Sequence, residues 1–169
     1  MINRTPDRSQ ARRGGPLRRG ILLFHRARHS DIIRNVDVFI TREALTDVKA
    51  LAVLRPQPPA WGFLVGHKRG RRVFVERLFP ACGTPIPPPP ERFDELDRLL
   101  GRKVVGLFAV RPGPAFKRSL AGPYFYGRLF LDVRLSRRGP IVRPFVVDFA
   151  RKFFLAPVLL ETGPKGGPP

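Results

Sequence analysis

Cysteine is all but missing from this 169-residue chain: Cys82 stands alone. That excludes a disulfide framework and any zinc site built on cysteines. Acidic residues are scarce too, 13 Asp+Glu against 32 Lys+Arg, which leaves a formal net charge of +19. Histidine occurs only as His25, His29 and His67. No apolar run approaches the roughly 20 residues of a membrane-spanning helix. Ile21-Leu-Leu-Phe24 is far shorter than the apolar segment of a secretory signal. These absences describe a soluble, cytoplasmic protein without a membrane span. Neither a Gly-x-Gly-x-x-Gly fingerprint nor a Walker loop occurs, and no cofactor is expected.

What is abundant is arginine, 26 of the 32 bases, with 20 prolines and 16 glycines. A GC-rich genome favours all three residue types, yet codon usage alone need not leave the charge unbalanced. So positive a field attracts phosphate backbones, anionic membrane surfaces or acidic proteins, and it raises association rates more than it sets specificity. With 43% of residues apolar, the length fits one domain with tails. A folded body of this size buries about two-thirds of the surface its unfolded chain exposes.

Residues 1–30 hold eight arginines and one acid, Asp7, with Gly14, Gly15, Pro16 and Gly20 interspersed. Such a segment buries too little apolar surface to order itself and reads as a disordered basic arm. Residues 162–169, rich in Gly and Pro, read as a flexible tail, so the domain spans residues 31–161. Within it, Val36-Asp-Val-Phe-Ile40 is a strand. Thr41 then offers an N-cap to a helix whose Ala44, Leu45, Val48, Leu51 and Ala52 recur at helical spacing. Trp61 to Gly66 and Val73 to Phe79 form a hairpin around the basic turn His67-Lys-Arg-Gly-Arg-Arg72.

The proline run 85–90 is a stiff spacer before an amphipathic helix over 91–102, with Phe93, Leu96, Leu99 and Leu100 as its buried stripe. Its acids Glu91, Asp94, Glu95 and Asp97 suit the helix dipole and solvent rather than a metal. Lys103 to Val110 is a buried strand, and an irregular loop runs from 111 to about 122. Residues 127–135 and 141–149 are strands, while 149–160 fits strand or helix. The order, β-α-β-β-α-β-loop-β-β, predicts an α/β or α+β fold with a mixed sheet sandwiched by helices.

Three blocks of the body resemble the MPN family, also called JAB or Mov34. They are Val38-Phe-Ile-Thr-Arg-Glu-Ala-Leu45; Trp61-Gly-Phe-Leu-Val-Gly66 with Val73-Phe-Val-Glu76 and Phe79-Pro80; and Val104-Val-Gly-Leu-Phe-Ala-Val-Arg-Pro112. The third is similar, position by position, to the family signature Val-Val-Gly-Trp-Tyr-His-Ser-His-Pro. The likeness spans roughly residues 36 to 150.

The resemblance implies a fold and a lost chemistry. Active members are zinc isopeptidases that cleave ubiquitin or ubiquitin-like tails. They use two His and one Asp as ligands, a Glu base and a Ser that steadies the oxyanion. At the matching positions this chain carries Pro59 for the Glu, Ala109 and Arg111 for the two His, and Gly122 for the Asp; Ser119 alone is kept. Ala, Gly and Pro offer no side-chain donor, and the Arg111 guanidinium repels a cation. No catalytic residue is therefore assigned, and the chain is expected to be no enzyme and to bind no metal. His25 and His29 lack a carboxylate nearby, His67 and Cys82 lack a partner in sequence, and Ser119 lacks an activating base.

Basic clusters are the remaining candidates. Arg12, Arg13, Arg18, Arg19, Arg26 and Arg28 lie on the arm, and Lys68, Arg69, Arg71 and Arg72 on one hairpin turn. Arg111, Lys117 and Arg118 lie on the loop that replaces the active site, and Arg137 and Arg138 tip another hairpin. Each is also what a solvated turn looks like; together they track a nucleic-acid backbone. Tyr124, Phe125 and Tyr126 either stack on bases or pack in the core. Two functions follow. The first is a non-catalytic MPN-like scaffold or protein-interaction module, which the resemblance pairs with another MPN domain or a ubiquitin-like protein. The second is a nonspecific nucleic-acid-binding protein.

Overall fold

A mixed, curled eight-stranded sheet carries three α-helices in the computed structural model, which describes residues 36–54, 59–81, 83 and 86–163. In chain order the elements are β1 (Asp37–Ile40), α1 (Arg42–Leu54), β2 (Trp61–Arg69), β3 (Arg72–Ala81), α2 (Pro90–Leu99), β4 (Val104–Val110) and α3 (Pro114–Leu120). A 3-10 turn (Pro123–Phe125) follows, then β5 (Leu129–Ser136), β6 (Gly139–Phe149), β7 (Phe153–Pro157) and β8 (Leu159–Thr162). Across the sheet the order is β7-β6-β5-β4-β2-β3-β1-β8. The β1–β3, β1–β8 and β4–β5 pairs are parallel and the others antiparallel.

β7 and β8 lie at opposite edges of the sheet yet are joined through Val158 alone, whose N–H donates to the Pro144 carbonyl at 3.2 Å. The chain itself therefore brings the two edges together, and the sheet curls around α1, which touches β3, β5 and β6. A sheet curled this way presents less open edge for chance pairing. Thr41 starts α1: its hydroxyl accepts the Ala44 N–H at 3.2 Å and donates to the Glu76 carbonyl at 3.1 Å, capping the helix and tying it to β3. Ala44, Val48 and Ala52, each four residues from the next, are fully buried in the curl.

Two apolar layers result. Val38, Ile40, Leu64, Val75, Phe108, Leu131 and Val133 pack with α1 on one face. Trp61, Phe63, Leu107, Ala109 and Phe130 meet Phe93 of α2 and Phe116 and Leu120 of α3 on the other. Gly106 is obligatory in β4, because a Cβ there would run into the backbone carbonyl of Leu129. A bulge beside it, where Leu64 pairs with Gly106 but Val65 with Val104, shifts which β4 side chains face each layer.

Several sequence expectations need correction. The stretch after β4 is not an irregular loop but α3 and the 3-10 turn: Pro114 and Pro123 each sit in a first turn, where the missing N–H costs nothing. Residues 149–160 resolve as strand, through β7 and β8. Thr162 ends β8 rather than opening a tail, and Gly163 donates to the Ile40 carbonyl at 3.0 Å. Leu99, assigned to the buried stripe of α2, is 75% exposed; of that stripe Phe93 is fully buried and Leu96 and Leu100 partly so. The basic turn is tighter than predicted, since Lys68 and Arg69 belong to β2 and Arg72 to β3. The predicted arm over residues 1–30 and Cys82 lie outside the described residues.

Candidate functional site

One row of side chains crosses the sheet beneath α3. Trp61 on β2 is registered with Ala109 on β4, and Ala109 with Asp132 on β5. Strand alternation turns all three toward the aromatic layer, because the neighbours Leu131 and Val133 point to the other. Asp132 is 1% exposed, a burial that an ionised carboxylate tolerates only when paired. Its partners are Lys117 of α3, with Nζ at 2.5 Å, and Arg134, whose Nε lies 3.1 and 3.3 Å from the two carboxylate oxygens. Beside this triad the Trp61 Nε1 is buried without a hydrogen-bond partner.

Of the residues that the sequence resemblance singled out, Ala109 lies in this row. Ala109 is fully buried. Arg111 is exposed, held at a left-handed φ of 52° with its N–H donating to the Val133 carbonyl at 2.7 Å. Ser119 donates its hydroxyl to the Phe116 carbonyl of its own helix at 2.7 Å, so its hydrogen is spent locally. Pro59 and Gly122 carry no donor, and among the described residues no group of three or more His, Cys, Asp or Glu is placed to hold a metal ion. The acids of α2 line an open groove with Arg98 and Arg102, and they too form no such group. Ion pairing of a buried carboxylate is what this arrangement does chemically.

A second site lies at the other end of the same strands. Val104 and Ala109 are five positions apart on β4, roughly 17 Å of extended chain. There a cleft of about 630 Å³ is lined by His67, Lys68, Asp97, Arg102, Lys103, Tyr124, Tyr126 and Arg128, among others. Lys68 reaches across to donate to the Gly127 carbonyl at 2.7 Å. Its ammonium is held below its ordinary pKa, chiefly by loss of water and then by the nearby Arg128 charge, which Asp97 partly offsets. Arg128 donates to the Val104 carbonyl at 2.8 Å, lies 3.9 Å from Asp97 and sits 4.4 Å over the Phe93 ring. His67 is spoken for by Glu76 at 2.7 Å. Arg102 and Lys103 are exposed, on a reversal where Gly101 and Arg102 both take left-handed φ values.

Of the predicted basic residues, this cleft takes up only Lys68. Arg69, Arg71 and Arg72 are exposed at the β2–β3 tip, with Arg72 3.9 Å from Asp37. Arg137 and Arg138 are exposed at the β5–β6 tip, and Arg118 on α3. Lys117 is not a free surface cation, because Asp132 holds it. Arg12, Arg13, Arg18, Arg19, Arg26 and Arg28 fall outside the described residues. Of the three aromatics, Phe125 is buried in the core and Tyr124 is tied to α2, donating to Asp94 at 2.7 Å; Tyr126 is half exposed on the cleft. Sequence reading missed the pair Arg102-Lys103 and the distant Arg128, which meet only in the fold. It missed Asp132 as well, although a lone acid in an apolar strand was the signal that a buried ion pair was needed.

No family model matches the chain, and no curated protein matches it. Among solved structures it is similar to protein DSY2949 from Desulfitobacterium hafniense, whose solution structure superposes with a TM-score of 0.54. The likeness covers 75% of this chain and 94% of that one at 18% identity. At that identity the similarity is one of fold. The chain is thus a mixed α+β protein with a curled sheet, and no helix among the described residues is long and apolar enough to cross a membrane.

Proposed function

We propose that this chain is a non-catalytic domain of MPN-like build that works by binding a protein partner, in the cytoplasm, rather than by hydrolysis. One observation carries the reading. Beneath α3, where the resemblance would put a zinc ion, the only acid in the strand row is Asp132, and Lys117 and Arg134 already neutralise it. A carboxylate so committed is not offered to a metal, and Ala109, Arg111 and Gly122 supply no other ligand. The partner class that the resemblance implies is another MPN domain or a ubiquitin-like protein. The test is metal analysis of the purified chain together with an isopeptidase assay, followed by calorimetric titration with both partner classes. We expect no stoichiometric zinc, no cleavage, and a saturable partner. Stoichiometric zinc with isopeptide cleavage would overturn the reading.

A second reading, nonspecific nucleic-acid binding, is favoured by the basic cleft. There four cations, Lys68, Arg102, Lys103 and Arg128, face the one carboxylate of Asp97.

A further inference from the structure

We infer that the cleft between the C-terminal end of α2 and the start of β4 and β5 is a binding site for single-stranded nucleic acid, with Tyr126 as a base-stacking platform. The inference rests on the second reading above and narrows it to a place, a strandedness and a set of residues. Charge complementarity comes first. Arg102 and Lys103 are exposed on the cleft without a side-chain partner among the described residues, while Lys68, also exposed, and the part-buried Arg128 are fixed by backbone carbonyls. Fixed and free cations on one cleft neutralise successive phosphates at little cost in ordering.

The aromatic component is what points to a single strand. Tyr126 is 50% exposed at the cleft and lies 6.3 Å from the Phe153 ring, which in turn lies 4.8 Å from Phe149, itself 48% exposed. Three neighbouring rings thus run from the cleft to the β6–β7 turn, where Arg151 and Lys152 are exposed. A run of rings with cations at both ends suits unstacked bases on a flexible backbone, whereas a duplex hides its base faces. The path also has a direction. On its other side the cleft borders a groove where Glu91, Asp94, Glu95 and Asp97 outnumber Arg98 and Arg102, which disfavours phosphate, so the strand leaves by way of Tyr126 and Phe153.

The experiment uses the full chain and fluorescent 12-nucleotide oligo(U) and oligo(dT), with a duplex of equal length, titrated across a salt series. The variants are Tyr126→Ala, Tyr126→Phe and the double Arg102→Glu/Lys103→Glu. Arg42→Glu/Lys49→Glu on exposed α1 positions makes the same charge change on the far face. Single strands should bind more tightly than the duplex. Tyr126→Ala should weaken binding by about tenfold and Tyr126→Phe should restore it. The cleft double should lower the slope of log K against log salt by about 1.4, two contacts at 0.7 each, and the α1 double much less. Equal loss from the two doubles, or no preference for single strands, would overturn the inference while leaving nonspecific binding standing. Absence of all binding at physiological salt would overturn both.

Discussion

Asp132 marks the residue-scale difference between a carboxylate that does chemistry and one that holds a fold together. It is sealed under α3 and paired with two cations, so its value is lost as soon as one partner goes. Lys117→Met should destabilise the protein by about 1–3 kcal/mol, since Arg134, half exposed, remains the sole compensation. Lys117→Met combined with Asp132→Leu should recover most of that loss, because a buried ion pair replaced by apolar groups of similar volume is often neutral. Urea denaturation of the three proteins measures both steps. A single variant as stable as the parent would mean that Arg134 alone satisfies the carboxylate. Gly106 makes a different point at this scale: the glycine of the Val104-Val-Gly block is required by the close approach of β5, whatever the neighbouring residues do.

At the scale of elements, α2 shows how a helix with little apolar surface is held. Phe93 is its one fully buried residue, packed edge-on against Phe63, Tyr124 and Phe125 and covered by Arg128. The Tyr124 hydroxyl adds a tether, donating to Asp94 at 2.7 Å with the Pro90 carbonyl at 2.9 Å. Desolvation and then the Asp94 hydrogen bond push the phenol above its ordinary pKa of 10.0. The folded state therefore binds the phenolic proton more tightly than the unfolded chain does. Its contribution is complete below pH 10 and is lost as pH rises above that value. Tyr124→Phe should cost about 1 kcal/mol at neutral pH and should show a shallower alkaline loss of stability than the parent. Thermal melts between pH 8 and 11 would reveal both; parallel curves would mean the hydroxyl is not a tether.

For the whole molecule the dominant quantity is the net charge of +19. Self-repulsion of that size opposes the compact state and is screened by salt, with a Debye length of about 10 Å at 0.1 M. The melting temperature should therefore rise between 0.02 and 0.5 M sodium chloride, while any affinity for nucleic acid falls over the same range. A melting temperature that falls with salt would mean that specific ion pairs, such as Lys117–Asp132, outweigh the bulk repulsion. The closure of the sheet belongs to this scale as well, because it joins β7, the partner of β6, to β8, the partner of β1, through one residue.

The sequence by itself determined the features that local physics decides. Thr41 as a cap, helical spacing in α1, the β2–β3 hairpin around Gly70 and the apolar run of β4 all depend on neighbours a few residues away; each was legible, though the hairpin's strands run further into the basic turn than was read. That Pro59, Ala109 and Gly122 have no side-chain ligand and Arg111 only a cation was equally legible, because it is a matter of residue identity. Tertiary structure alone decided the rest. Residues 149–160 became strand because β6 and β1 supplied the hydrogen bonds, and Leu99 stayed exposed because α2 is rotated to bury Phe93. Lys68, Arg102 and Arg128 make one cleft because bringing three separate strand and turn ends together is a long-range event, and no local pattern in the chain records it.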